Sequence, residues 1–155
     1  MKETQFAKTP PRKSTLTRVL FICFGNACRS PIAESIARYD AADVMEVSSA
    51  GLVPLGFIPQ LTKETITKNG YSTDGLKSKT ISPKAWSSAD IVINMSGTPR
   101  ERAFPDYDKV EDWLVEDPYG ADARLYQTIF ESIQRRVGQL AEELRHKRES
   151  GQRQR

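Results

Sequence analysis

The stretch VLFICFGNACRSP (residues 19–31) decides the fold that the rest of the sequence predicts. Its first four residues are apolar and predict a buried strand. Gly25 permits a tight turn, and Asn26 tolerates a left-handed backbone. Ser30 can cap a helix, and Pro31 suits the first helical position because its missing N–H needs no partner there. The stretch therefore predicts a strand, a short loop and then a helix.

The predicted loop has the composition of an oxyanion site. The backbone N–H groups of residues 24–29 would point at one spot, and the helix dipole adds positive potential there. Arg29 can offer a two-donor fork to the oxygens of a tetrahedral anion. The same field favours the thiolate of Cys23, which makes it a candidate nucleophile. Alone, Cys23 could be a buried apolar residue and Arg29 a solvated charge, but one turn containing both favours the oxyanion site.

The remaining hydrophobic pattern alternates strands with helices, which predicts parallel pairing with helices on both faces. The expected fold class is α/β: a three-layer α/β/α sandwich around a central, mainly four-stranded parallel sheet, with the oxyanion loop after the first strand. In such sheets ligands bind at the carboxyl ends of the strands. The predicted strands are 18–22, 44–49, 91–95 and 109–114, and the predicted helical segments are 31–40, 59–69, 82–86 and one long helix on the stripe Leu125, Ile129, Ile133, Val137, Leu140 and Leu144.

The length and the charge distribution of the chain limit its possible domain organisation and partners. The 155 residues suit one domain, expected over 18–147, with a flexible basic extension at 1–17 and a basic tail at 148–155. The net charge of +3 is unevenly distributed, because residues 1–18 and residues 145–155 each carry +4 and the middle of the chain carries −5. No aromatic residue is interleaved with the basic C-terminal run, so nucleic acid is not an expected partner. We expect no membrane span and no signal core, a cytoplasmic protein, and a monomer or weak dimer.

A second candidate group lies late in the chain, in the segment EDPYG (residues 116–120). Asp117 follows the last predicted strand, so it should lie at the same sheet edge as Cys23. A phosphate monoester needs a proton donor when its leaving oxygen departs, and a carboxyl group can supply one. On the residues alone, an ordinary Asp-Pro turn explains the segment equally well.

Residues 19–34 (VLFICFGNACRSPIAE), together with Asp-Pro-Tyr at 117–119, strongly resemble the low-molecular-weight protein tyrosine phosphatases. The resemblance covers about residues 18–147, and arsenate reductases of the same fold share the loop. It implies hydrolysis of phosphotyrosine through a phosphocysteine on Cys23, with Asp117 as general acid and base, and with no metal and no cofactor. Expected partners are a phosphotyrosine protein or a small aryl phosphate, with phosphate or another oxyanion in the loop.

The resemblance also assigns roles around Cys23. It implies that Ser30 contacts the Cys23 sulfur, that Asn26 pairs with Ser49, and that Cys28 can form a reversible disulfide with Cys23. Packing beneath the loop is the alternative for Cys28. Members of the family often have an aromatic residue at about the position of Leu55 and another directly after Tyr119. This chain has neither, so the wall of its substrate pocket is expected to be less aromatic. The expected substrate-binding residues are Phe24, Gly25, Asn26, Ala27, Cys28, Ser30, Leu55 and Tyr119.

Two alternatives remain. Thioredoxin-coupled arsenate reductases resembling this fold have a further cysteine near the position of Ser96, but this chain has only Cys23 and Cys28. An arsenate reductase would therefore have to use an external small thiol. A protein that binds oxyanions without turnover is the other alternative, and the presence of Cys23, Arg29 and Asp117 together argues against it.

Overall fold

The computed structural model describes residues 16–153, and its centre is a parallel sheet of four strands in the order β2-β1-β3-β4. The predicted α/β fold is confirmed. Each strand lies within two residues of a predicted one at either end, and Cys23 pairs with Gly51 where the first two strands end. The strands are β1 (Thr17–Cys23), β2 (Met45–Gly51), β3 (Ile91–Asn94) and β4 (Val110–Asp112).

Helices cover both faces of this sheet. Four of them fall on predicted helical segments, whereas α4, a single turn, was not predicted. The helices are α1 (Arg29–Asp40), α2 (Gln60–Lys68), α3 (Pro83–Ser88), α4 (Arg100–Ala103) and α5 (Ala123–Arg153). None of the helices in residues 16–153 is long and apolar enough to cross a membrane.

The central strand β1 is buried on both faces. Phe21 points into the larger core, which α1 and α5 close. Ile22 points into a smaller core beneath α3 and α4, where the rings of Trp86 and Phe104 stack at 5.3 Å. Because successive side chains of a strand face opposite ways, an unbroken apolar run is what a strand between two helical layers requires. This burial anchors the strand from which Cys23 emerges.

The first helix begins earlier than predicted, at Arg29 rather than Pro31. Cys28 occupies the N-cap position and makes no side-chain cap hydrogen bond. The predicted capping role of Ser30 is therefore wrong. Its hydroxyl is fully buried and bonds instead to Asn26 and Cys23, so it is not available to the helix terminus.

The ends of the domain also differ from the predicted boundaries. Thr17 belongs to β1, and α5 continues past residue 147 to Arg153; residues 1–15 of the predicted N-terminal extension lie outside the described residues. Arg145 binds both carboxylate oxygens of Asp43, at 2.8 and 2.9 Å. These hydrogen bonds hold the pKa of Asp43 below its usual range. Arg148, the first residue of the predicted tail, donates to Asp43 O at 2.7 Å, so the start of that tail is attached to the turn before β2.

Candidate active site

The loop between β1 and α1 turns at Asn26, whose φ is +49°. Asparagine tolerates this left-handed conformation better than most residues, as the sequence predicted. Gly25 does not have a positive φ, and a Cβ there would meet only ordinary contacts at 3.8 Å. The tight-turn role predicted for Gly25 is therefore wrong, because the left-handed position falls one residue later.

A buried amide braces the loop from behind. The Asn26 Nδ2 group donates to Ser30 Oγ at 2.7 Å and to Ser49 Oγ at 3.0 Å, while Oδ1 accepts from the backbone N–H of Lys79 at 2.9 Å. The implied contact between Asn26 and Ser49 is confirmed. Since every donor and acceptor of this amide has a fixed partner, the loop is tied to β2 and to the segment before α3.

Cys23 lies at the base of the loop with 2% of its surface exposed. Its Sγ is 3.1 Å from Ser30 Oγ and accepts the Ser30 backbone N–H at 3.4 Å. The contact that the resemblance implied between Ser30 and the sulfur is confirmed. The Ser30 backbone N–H therefore donates to the sulfur from the first turn of α1, with the Ser30 hydroxyl beside it, and a donor in this position stabilises a thiolate.

The guanidinium of Arg29 is held in place by backbone carbonyls at the sheet edge. Its Nη1 group donates to Met95 O at 2.5 Å and to Val115 O at 3.1 Å, just after β3 and β4. Nη2 lies 3.5 Å from Asp117 Oδ2. Among residues 16–153 the buried Nε–H has no hydrogen-bond partner. Arg29 thus keeps unused donor capacity on a buried, positively charged group.

Asp117 is brought to the same edge of the sheet. Its Oδ1 accepts from the backbone N–H of Tyr119 at 3.1 Å, which orients the carboxyl group in the turn. Half of the side chain is exposed, and Oδ2 is the oxygen near Arg29. The carboxyl group is therefore fixed at one oxygen and can still reach solvent or a ligand.

These groups share a pocket of about 320 Å³. Phe24 and Tyr119 are about half exposed on its wall. Of the predicted substrate-binding residues, Asn26 and Ser30 do not line it; both are fully buried behind the loop. Within residues 16–153 no group of three or more His, Cys, Asp or Glu side chains is placed to hold a metal ion. The lining residues are Cys23, Phe24, Gly25, Ala27, Cys28, Arg29, Val53, Pro54, Leu55, Asp117 and Tyr119.

Cys28 is a free thiol packed against α5. Its Sγ lies 3.2 Å from the hydroxyl oxygen of Tyr126, which is 1% exposed. Burial raises the pKa of the Cys28 thiol and that of the Tyr126 hydroxyl. The packing role weighed for Cys28 describes this arrangement, and the disulfide with Cys23 stays a prediction.

Gly51, at the end of β2, was not singled out from the sequence. A Cβ built on it would lie 2.8 Å from the backbone N of Asn26 and 2.9 Å from the Asn26 Cβ. The loop therefore rests directly on the backbone of β2. The only sequence signal was a glycine at a strand end, which carries no information about the loop that it meets.

Replacing Gly51 with alanine should lower the free energy of unfolding by about 1–3 kcal/mol, because the new methyl group meets backbone that cannot move aside. Gly138→Ala is the matched control: nothing lies within 4 Å of its Cβ position on α5, so this change should raise stability by about 0.5–1 kcal/mol. Urea unfolding of both variants measures the difference. Equal effects of the two changes would contradict the close packing at Gly51.

Known proteins place this geometry in context. An arsenate reductase from Bacillus licheniformis is 30% identical over 132 residues, covering 80% of this chain and 94% of that protein. The structure of a low molecular weight protein tyrosine phosphatase from T. tengcongensis superposes with a TM-score of 0.74 at 30% identity, covering 83% of this chain and 99% of that one. An arginine phosphatase from Geobacillus stearothermophilus superposes with a TM-score of 0.78 at 24% identity, covering 86% and 96%, and shows a shared fold.

The family model described as low molecular weight phosphotyrosine protein phosphatase matches residues 18–150. This range includes β1 from Arg18 onward, the other three strands in full, and both Cys23 and Asp117. The chain therefore belongs to the low molecular weight phosphotyrosine protein phosphatase family.

Proposed function

We propose that this protein hydrolyses phosphate monoesters, with protein phosphotyrosine as the preferred class, through a phosphocysteine on Cys23. The observation that carries the proposal is the unused Nε–H of Arg29, buried in the wall of the Cys23 pocket. Leaving a buried donor unpaired costs about 1–3 kcal/mol, and more for a charged group. An oxyanion seated in the loop would remove that cost.

The residues support a two-step displacement. Cys23 Sγ attacks phosphorus in line, so the S–P bond forms as the P–O bond to the leaving group breaks, and Asp117 gives its proton to the leaving oxygen. Asp117 then takes a proton from water, the water oxygen bonds to phosphorus, and the Cys23 thiolate is released. Arg29 and the loop N–H groups stabilise the equatorial oxygens in both steps.

The pocket wall supports an aryl substrate. Phe24 and Tyr119 expose 48% and 54% of their surfaces, and Leu55 exposes 37%. An aromatic ring attached to the phosphate would cover this apolar surface, worth about 25 cal/mol for each Å² removed from water. A phosphoserine chain is shorter and would cover less of it. The wall therefore favours phosphotyrosine, although Leu55 makes it less aromatic than is common in the family.

Arsenate reduction is the second candidate, favoured by the 30% identity to the arsenate reductase of B. licheniformis. Arsenate would occupy the same oxyanion site. Its reduction takes two electrons, and the only cysteines in the sequence are Cys23 and Cys28. The residue after Met95 is Ser96, where the resemblance puts a further thiol in the reductases. A reductase built on this chain would therefore draw on external small thiols.

Parallel assays on the same preparation separate the two reactions. We expect phosphate release from p-nitrophenyl phosphate and from a phosphotyrosine peptide in the presence of EDTA. Arsenite formation is measured alongside with glutathione and glutaredoxin. Thiol-dependent arsenite formation with no phosphate release would reverse the ranking, and phosphate binding without either turnover would identify a binding protein.

A further inference from the structure

Asn94 is a buried polar residue at the carboxyl end of β3, and the reaction proposed above gives it no role. It exposes 2% of its surface and does not line the Cys23 pocket. Its Nδ2 group donates to Thr98 O at 2.8 Å and to Asp112 Oδ1 at 2.7 Å, and its Oδ1 accepts the backbone N–H of Ser96 at 3.1 Å. A buried amide is costly unless it is paired, and here partners at both ends hold it in one orientation.

The bond to Ser96 fixes the peptide group that joins Met95 to Ser96. A trans peptide group is planar, so its C=O and its N–H point in opposite directions. Asn94 Oδ1 accepts the N–H end of this group, and Arg29 Nη1 donates to the C=O end, Met95 O, at 2.5 Å. The Asn94 side chain therefore holds the peptide group from the side opposite to Arg29 and keeps the carbonyl turned toward the guanidinium.

The rest of Met95 is fixed by other contacts, which leaves this peptide group as the part that Asn94 controls. The Met95 N–H donates to Ile22 O at 2.7 Å, and the Met95 side chain is fully buried. The remaining freedom is rotation about the bond between Cα and C, which swings the carbonyl and the next N–H together. An asparagine side chain that accepts the N–H two residues later restrains that rotation.

The position of Met95 O decides which edge of the Arg29 guanidinium stays available. Nη1 carries two protons, and its acceptors are Met95 O and Val115 O, just after β3 and β4. Nε and Nη2 remain on the other edge, where a planar pair of N–H groups suits two oxygens of a tetrahedral anion. If Met95 O turned away, Val115 O at 3.1 Å would be a single pivot, about which the guanidinium could rotate.

We propose that Asn94 is a positioning residue that aims Met95 O at Arg29. The guanidinium then presents Nε and Nη2 to an oxyanion before the anion arrives, so binding requires less reorganisation. The inference rests on the proposed function only through the oxyanion that Arg29 binds. Its readout is therefore the affinity for inorganic phosphate, which requires no turnover.

Asp112 supports the Asn94 amide without setting its direction. The two residues are partners in the register of β3 against β4, and the second carboxylate oxygen accepts the Arg100 N–H at 3.2 Å. The Ser96 N–H and Thr98 O already fix which end of the amide faces which way. Asp112 is useful for a test, because the amide and the carboxylate can be exchanged between the two positions without changing the net charge.

Replacing Asn94 with alanine should weaken phosphate binding about tenfold in isothermal titration calorimetry, because Arg29 would then have to be ordered as the anion binds. Ser96→Ala is the matched control. The Ser96 hydroxyl donates to Thr98 O and accepts the Thr98 N–H in the same loop, but it makes no bond to the Met95 carbonyl. Its removal should leave the phosphate affinity unchanged.

The exchange variant, Asn94→Asp with Asp112→Asn, separates positioning from general stability. The carboxylate at position 94 keeps an acceptor for the Ser96 N–H, whereas Thr98 O loses its donor. We therefore expect the midpoint of urea unfolding to fall below the wild-type value while the phosphate affinity stays close to it. A residue that only stabilised the fold would lose affinity and stability together.

Unchanged phosphate affinity in Asn94→Ala would overturn the proposal, because Met95 O would then be aimed without this side chain. An equal loss in Ser96→Ala, or a folded exchange variant that binds as weakly as Asn94→Ala, would also overturn it, because loosening of the loop after β3 would explain the result. Should Asn94→Ala fail to fold, Asn94→Leu fills a similar volume and also lacks the acceptor. A wild type that binds phosphate without hydrolysing phosphate esters would refute the proposed function and leave this test intact.

Discussion

Replacing Cys23 with serine is expected to lower phosphate release from p-nitrophenyl phosphate by at least about 10⁴-fold. The serine hydroxyl would stand where the Ser30 N–H donates to the sulfur and where Ser30 Oγ lies 3.1 Å from it. Neither can accept its proton as a general base would, so the hydroxyl is not ionised at neutral pH and no covalent intermediate forms. Steady-state release of phosphate and acid trapping of the phosphoenzyme measure the loss.

Binding is the control for this variant. Arg29 and the loop N–H groups are unchanged, so the serine variant should still bind inorganic phosphate, as measured by calorimetry, and should keep its unfolding midpoint. Residual activity above about one hundredth of the wild type would show that Cys23 is not the nucleophile. Loss of phosphate binding together with activity would show a collapsed loop instead, and the experiment would then be repeated with Cys23→Ala.

The sequence predicted those parts of the site that are encoded in consecutive residues. Cys23, Asn26 and Arg29 lie in one strand-loop-helix stretch, and the length of the loop fixes their relation before any tertiary contact is known. The apolar run of β1 likewise predicted a strand buried on both faces. Asp117 needed one step more, because its position depended on parallel strands ending at a common edge.

What the sequence could not predict comes from contacts between distant segments. The carbonyls of Met95 and Val115 that hold Arg29 carry no side-chain signal, since any residue supplies the same group. The approach of Gly51 to the loop depends on the register of β2 against β1, which pairs it with Cys23. The error at Ser30 has a similar origin: its hydroxyl suits a helix cap locally, but buried partners from the loop compete for it.

The anchoring of Arg29 has a consequence for the chemistry. Nη1 is occupied by carbonyls at the ends of β3 and β4, so the guanidinium cannot swing between ligand and solvent. Its remaining donors are therefore oriented before a ligand arrives, and little reorganisation is required as charge develops on the phosphoryl oxygens. The fold contributes to the site through backbone groups as well as through the loop.

Replacing Asp117 with alanine should reduce kcat/KM according to the leaving group. For a phenyl or alkyl phosphate, whose leaving oxygen must be protonated, we expect a loss of about 10²–10⁴-fold, whereas p-nitrophenyl phosphate should lose far less because its leaving group departs as a stable anion. The Asp117 carboxyl group is placed for this role by the Tyr119 N–H and by Arg29. A series of aryl phosphates of increasing leaving-group basicity measures the dependence.

Glu116→Ala is the matched control, since Glu116 is an exposed acid one residue earlier that does not line the pocket. It removes the same charge from the same turn. The slope of log kcat/KM against leaving-group basicity should therefore keep its wild-type value. The slope is what separates a proton donor from a carboxylate that merely balances Arg29, because loss of charge balance alone would lower kcat/KM by the same factor for every ester. A uniform loss across the series would therefore remove Asp117 from the acid role, while a steeper slope in Asp117→Ala alone would place the proton transfer at that carboxyl group.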